Sequence, residues 1–206
     1  MNALLSKNVW AVGRNYASHA QEMQAEIPDS STSEPFFFLK AGSCIETDSK
    51  ISLPAWSADV QHEIEIALWI DENLNFSHIS LALDLTARDA QKLAKSKGLP
   101  WTLSKSFSGS CPLGPWVSLE EISSFESLTF ELIKNNVSVQ KGNTQDMIFK
   151  PKQLLEYVKS HFPLAPYDVI LTGTPQGVAG VKSGDTLSAT LQSENHKILT
   201  CHWDVI

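Results

Sequence analysis

Between Glu63 and Ile70 the chain reads Glu-Ile-Glu-Ile-Ala-Leu-Trp-Ile, a strict alternation that turns into an unbroken apolar run. Successive side chains of a strand point to opposite faces, so Glu63, Glu65 and Ala67 share one face and Ile64, Ile66 and Leu68 the other. The apolar end calls for cover on both faces. The alternating start aims two carboxylates, about 7 Å apart, in one direction beside it. One reading leaves Glu63 and Glu65 on the solvated face of an amphipathic strand. Against it, the next strand-like stretch, SLALDLTARD, embeds another acid, Asp84, between leucines. A buried charge needs a partner or a metal. Three carboxylates converging at the ends of neighbouring strands make a hard, all-oxygen site suited to Mg²⁺ or Mn²⁺, whereas zinc favours His or Cys.

Around this segment the pattern is β-dominated. LLSKNVWAVG reads as a strand ending at Gly13, followed by a brief helix over NYASHAQEMQAE that Asn15 is placed to cap. EIPDSSTSEP reads as a mobile loop, in which a lid is conceivable. From Ile51 onward short β-rich runs alternate with turn residues, interrupted by helices at TARDAQKLAKSKG and PKQLLEYVKSHF. No repeat of solenoid period occurs, so a closed or sandwiched sheet is expected.

Composition narrows the classes of function. With 206 residues, 42% hydrophobic and 19% charged, the chain reads as one globular domain over 1–206 with a sizeable core. A formal charge of -7 offers no basic surplus for phosphate backbones, so nucleic acid is not an expected partner. The longest apolar runs fall far short of the roughly 20 residues that span a bilayer, and MNALLSKNVW has neither a basic start nor a cleavage site. No membrane association and a cytoplasmic location are the expectations. Cys44, Cys111 and Cys201 form no CxxC pair and read as buried or indifferent thiols.

Five strings together, GRNYASHAQEM, HEIEIAL, LDLTARDAQ, KGLPWTLSKSF and LTGTPQGV, resemble the fumarylacetoacetate hydrolase family, in particular its small single-domain members acting on acylpyruvates and oxaloacetate. The likeness runs from about Val12 to Asp185. It implies Mg²⁺ or Mn²⁺ held by Glu63, Glu65 and Asp84, a mixed α+β fold with a β-roll or barrel-like core and short helices at its rim, and a homodimer. It also implies a lid segment around 15–34. Lys105, in TLSKSF, is implied beside the oxyanion that forms as a 2-oxo acid loses its C3–C4 bond, a preorganised charge of the kind whose loss typically costs roughly 100-fold in rate. Arg88 and Gln91 match positions near the substrate carboxylate and the attacking water. Thr174 matches a contact to that carboxylate, with Gly173 and Gly177 permitting close backbone approach.

His19 and Glu22 stand three apart, on one face of a helix. The resemblance makes them a base dyad, Glu22 orienting an imidazole that takes a proton from water. An exposed ion pair of small worth is the plain alternative. The helix would have to close over the substrate for the dyad to reach it. His62 faces away from Glu63, and with His78, His161, His196 and His202 it is given no role.

Two departures stand out. IDENLNFSHISLAL before Asp84 is shorter than usual and lacks a Gly-Tyr, and Ala41-Gly42 replace the usual Pro-Ser. The activity implied first is acylpyruvate or fumarylpyruvate-type hydrolysis that releases pyruvate through an enolate stabilised by the cation. The alternative is oxaloacetate decarboxylation, or keto–enol isomerisation of a 2-oxo dioic acid, at the same site. A metal-stabilised, non-catalytic dimer is the third reading, which the retention of every charged group disfavours.

Overall fold

The computed structural model describes residues 7–194 and 196–206. Its largest sheet has six strands in the order Val117–Ser118, Phe76–Leu83, Ile64–Ile70, Val169–Leu171, Asn8–Gly13 and Phe36–Ala41. A second sheet of five strands runs Val137–Asn143, Leu128–Lys134, Thr186–Ser193, His196–Val205 and Lys50–Ile51. Leu128, Phe130, Leu132, Leu187 and Leu191 of the second sheet pack on Ile64, Ile66, Leu81 and Leu83 of the first. The other face of the six-stranded sheet buries Val9, Ala11, Ala67, Trp69, Val169 and Leu171. Every residue of Ile64–Ile70 is therefore buried, which is why the alternation stops after Glu65. The architecture is the expected β-dominated α+β type. Its sheets are open ones packed face to face, so the sandwiched alternative holds among the described residues and the closed one does not.

The helices lie around these sheets: α1 (Ala17–Glu22), α2 (Arg88–Lys97), α3 (Thr102–Lys105) and α4 (Pro151–His161). Helix α2 ends at Gly98, which takes a left-handed conformation at φ 63°, and Pro100 follows. Asn15 does not cap α1. The cap position is Tyr16, and the fully buried Asn15 side chain instead donates to the Phe149 and Thr172 carbonyls and accepts from the Phe149 N–H. Three buried backbone groups on two other segments outweigh one helix-end donor that water can reach.

The short connection before Asp84 is a tight turn in which the Asp71 carboxylate accepts from the N–H groups of Asn73 and Asn75. The hairpin it closes pairs Ile64 with Leu83 and Glu65 with Ala82, and the Asp84 N–H donates to the Glu63 carbonyl at 2.8 Å. This register brings the third acid beside the first two. Ala41 also has a local reason: its N–H donates to Ser106 Oγ at 2.9 Å, a bond that proline would forbid.

Candidate active site

Glu63 sits in the break between the strands Val60–His62 and Ile64–Ile70, Glu65 on the second of them, and Asp84 just past the strand Phe76–Leu83. One oxygen from each lies within 4.8 Å of the others, and all three side chains are buried. The pattern of alternate residues thus placed Glu63 and Glu65 correctly on one side, and the hairpin register supplied Asp84.

Basic groups converge on the same point. Lys105, at the end of α3 and 3% exposed, donates to Glu63 Oε2 at 2.7 Å and Asp84 Oδ2 at 2.5 Å. Arg88 and Gln91, one helical turn apart on the buried face of α2, bond each other at 2.7 Å, and Arg88 Nη2 reaches Glu63 Oε1 at 2.5 Å. Lys105, Arg88 and Gln91 are therefore all interior. Burial raises the carboxyl pKa of Glu63, but Lys105 and Arg88 more than offset it and hold it well below the usual range. Glu65 goes the other way. Its burial and the nearby Asp84 and Glu63 raise its pKa well above normal, against the opposing Lys105 charge and a 2.6 Å bond from the Gly173 N–H. Among the described residues Glu65 thus has no cationic partner of its own, and an added cation is what the acid cluster would accept. The all-oxygen donor set fits Mg²⁺ or Mn²⁺.

Helix α1 already lies over this cluster. His19 is 7% exposed and lines a cavity of about 320 Å³ together with Glu63, Glu65, Asp84, Arg88, Gln91, Lys105 and Thr174. Its Nδ1 stands 3.4 Å from Glu22 Oε2. Glu22 in turn accepts from the Gly177 N–H at 3.0 Å, which ties the helix to the TGTPQG turn. That turn relies on its glycines: Gly173 (φ 93°) and Gly177 (φ 100°) are left-handed, and a Cβ on Gly177 would meet the Val139 carbonyl oxygen at 2.1 Å. All nine residues singled out from the sequence, His19, Glu22, Glu63, Glu65, Asp84, Arg88, Gln91, Lys105 and Thr174, are in or against this one site. His62 points elsewhere, its Nδ1 paired with Gln140 Oε1.

Three residues at the site escaped the sequence reading. Lys40 is fully buried, donates to Asp84 Oδ1 at 2.7 Å and also bonds the Lys105 carbonyl. Its signal was available: Phe36, Phe38 and Lys40 alternate on one strand face, and both phenylalanines line the cavity. Arg14 and Lys95 also line the cavity, Lys95 with its ammonium 5.0 Å from the centre of the Trp101 ring.

This fold and acid cluster define a class. The fumarylacetoacetate hydrolase C-terminal family matches residues 8–202, and the chain belongs to that family. Among relatives, it is 40% identical over 193 residues to the mitochondrial oxaloacetate decarboxylase of Dictyostelium discoideum, covering 88% of this chain and 87% of that protein. It is 38% identical over 210 residues to the mitochondrial oxaloacetate tautomerase of Bos taurus, covering 97% of this chain and 91% of that one. Among solved structures, the fumarylpyruvate hydrolase of Pseudomonas aeruginosa in complex with Mn²⁺ and pyruvate superposes with a TM-score of 0.87 at 25% identity, covering 98% and 90% of the two chains. Among the described residues no helix is long and apolar enough to cross a membrane.

Proposed function

We propose that this protein carries out enolate chemistry on a 2-oxo dicarboxylic acid of the oxaloacetate type: keto–enol tautomerisation through the enolate of the substrate, with decarboxylation through the enolate of pyruvate at the same site. The observation that carries this over hydrolysis of an acylpyruvate with a neutral tail is the charge of the cavity wall, and over hydrolysis of fumarylpyruvate, also a dianion, it is the likeness to relatives named for oxaloacetate. Arg14, Arg88, Lys95 and Lys105 face Glu63, Glu65 and Asp84, and neither Arg14 nor Lys95 has a carboxylate partner among the described residues. Once a divalent cation is added, the positive groups of the cavity wall outnumber its three acids, which matches a dianion better than a carboxylate with a neutral acyl tail. The 40% and 38% identical relatives named for oxaloacetate support the same choice.

Glu63, Glu65 and Asp84 would hold Mg²⁺ or Mn²⁺, which when bound supplies a Lewis acid for the 2-oxo oxygen. Thr174 donates to the carboxylate on C1, with Arg88 and Gln91 beside it. Arg14 and Lys95 attract the far carboxylate. His19, held through Nδ1 by Glu22, takes the C3 proton at Nε2, and the C–H electron pair becomes the C2–C3 double bond of the enolate. Returning that proton to the oxygen completes the enol. Lys105 offsets the charge on that oxygen. In decarboxylation the C3–C4 bond breaks instead, carbon dioxide leaves, and C3 is protonated.

A second reading, acylpyruvate hydrolysis, is favoured by the His19–Glu22 pair, which is equally placed to activate water. One comparison separates them: tautomerisation and decarboxylation of oxaloacetate against pyruvate release from acetylpyruvate, all with Mg²⁺. Oxaloacetate is expected to be preferred, and Lys95→Met with Arg14→Gln should lower its kcat/KM about 10-fold while sparing acetylpyruvate, the worth of one charged contact. Faster cleavage of acetylpyruvate would overturn the proposal in favour of the hydrolase.

A further inference from the structure

Gln140, on the strand Val137–Asn143 and 2% exposed, uses its carboxamide completely. Its Oε1 lies 3.1 Å from the Ile64 backbone nitrogen and 2.9 Å from His62 Nδ1. Its Nε2 lies 2.9 Å from Thr174 Oγ1 and 2.9 Å from the Pro175 carbonyl oxygen. A backbone N–H can only donate and a carbonyl can only accept, so the oxygen must face Ile64 and the nitrogen must face Pro175. The amide orientation is fixed from both ends, with no appeal to the groups in between.

Two consequences follow from that orientation. Facing an oxygen, His62 Nδ1 must carry its proton, leaving Nε2 bare; that atom is buried and without a partner among the described residues. Burial lowers the His62 pKa, in keeping with a neutral ring. Facing an N–H, Thr174 Oγ1 must accept, so its own hydrogen is left to point elsewhere. Among the described residues that hydroxyl donates to none, and Thr174 lines the cavity beside the acid cluster.

We infer that Gln140 is a positioning residue: by donating to Thr174 Oγ1 it commits that hydroxyl to donate into the cavity, toward the carboxylate of a bound 2-oxo acid. This rests on the reading above that Thr174 meets the substrate carboxylate. The carboxamide also joins the start of the acid-bearing strand, through Ile64, to the TGTPQG turn, so one side chain spaces the acid cluster from the carboxylate donor.

The test is oxalate binding to the Mn²⁺-loaded protein by calorimetry, oxalate being a planar dianion that mimics the carboxylate and enolate oxygen of a 2-oxo acid. Thr174→Val should weaken oxalate about 10-fold to 100-fold, the worth of a hydrogen bond to a charged group, and Thr174→Ser should restore it. Gln140→Glu, at mildly alkaline pH where its carboxylate is ionised, should weaken oxalate comparably, because the new acceptor captures the Thr174 hydroxyl. The double variant should be no weaker than Thr174→Val alone. Loss in Thr174→Val with none in Gln140→Glu would overturn the positioning role. No loss in Thr174→Val would instead remove the carboxylate contact on which it rests. Should Gln140→Glu fail to fold, ¹⁵N NMR of the wild-type His62 ring decides: the Nδ1–H tautomer is required, and an unprotonated Nδ1 refutes the amide orientation.

Discussion

Replacing Lys105 with methionine removes a charge while keeping a linear side chain over the Phe38 ring, which the ammonium approaches to 4.7 Å. In the metal-free protein Lys105 bridges Glu63 and Asp84, both buried, and stripping one partner from a buried ion pair typically costs about 3–5 kcal/mol. The lower end applies here, because Arg88 still pairs with Glu63 and Lys40 with Asp84. For a chain of this size about 3 kcal/mol corresponds to a Tm lower by roughly 6–12 °C. A divalent cation between the same carboxylates replaces the missing charge, and it no longer competes with an ammonium for their oxygens. The variant should therefore gain more from metal than the wild type does, with tighter metal binding even as catalysis falls. The assay is thermal unfolding by circular dichroism, in EDTA and in excess Mn²⁺, for both proteins. A Tm deficit of the same size with and without metal would refute the reasoning, since it would mean that the cation and Lys105 do not share their carboxylates.

Other outcomes test the remaining parts of the site. Glu65→Gln should abolish the Mn²⁺-induced rise in Tm yet leave the metal-free Tm unchanged or higher, because the ionised carboxylate it removes is disfavoured by burial; an undiminished rise would remove Glu65 from the ligand set. His19→Ala should slow tautomerisation about 100-fold to 10,000-fold, as for a positioned general base, with decarboxylation losing much less; equal losses would give the dyad another task. Burial pushes the Cys111 and Cys201 thiols up to about 12 from 9.0. An unfolded chain sheds these protons from about pH 9 while the folded one retains them, so stability should fall as pH rises from 9 toward 12, by about 1.4 kcal/mol per pH unit for each thiol. Urea titrations across that range should show a shallower fall in Cys201→Ala. A Cβ on Gly114 would lie 2.2 Å from Cys201 Sγ, so Gly114→Ala should cost about 1–3 kcal/mol, and Cys201→Ala should recover part of it.

Local pattern determined a good deal of this protein. The two-residue period from Glu63 and its loss after Glu65 fix which side chains share a face and state that both faces are covered, because a strand reports its surroundings through every second residue. The same logic reaches Lys40 through Phe36 and Phe38. The acids, Lys105, Arg88, Gln91 and the His19–Glu22 pair were legible as short motifs, each carried on a single element. Tertiary structure decided what joins them. Asp84 belongs to the cluster because a five-residue turn sets the hairpin register that places it beside Glu63. Asn15, read locally as a cap, serves segments more than 130 positions away, since buried carbonyls there have no water to fall back on. Gln140 sits in SVQKGN, where nothing local distinguishes it, and acquires its place only by reaching Ile64 and Pro175 across two sheets. The proposed preference for a dianion likewise has no address in any one motif: it is argued from Arg14 and Lys95, far apart in sequence but facing one cavity, and the potential there is a sum over charges that only the folded chain brings within range of each other.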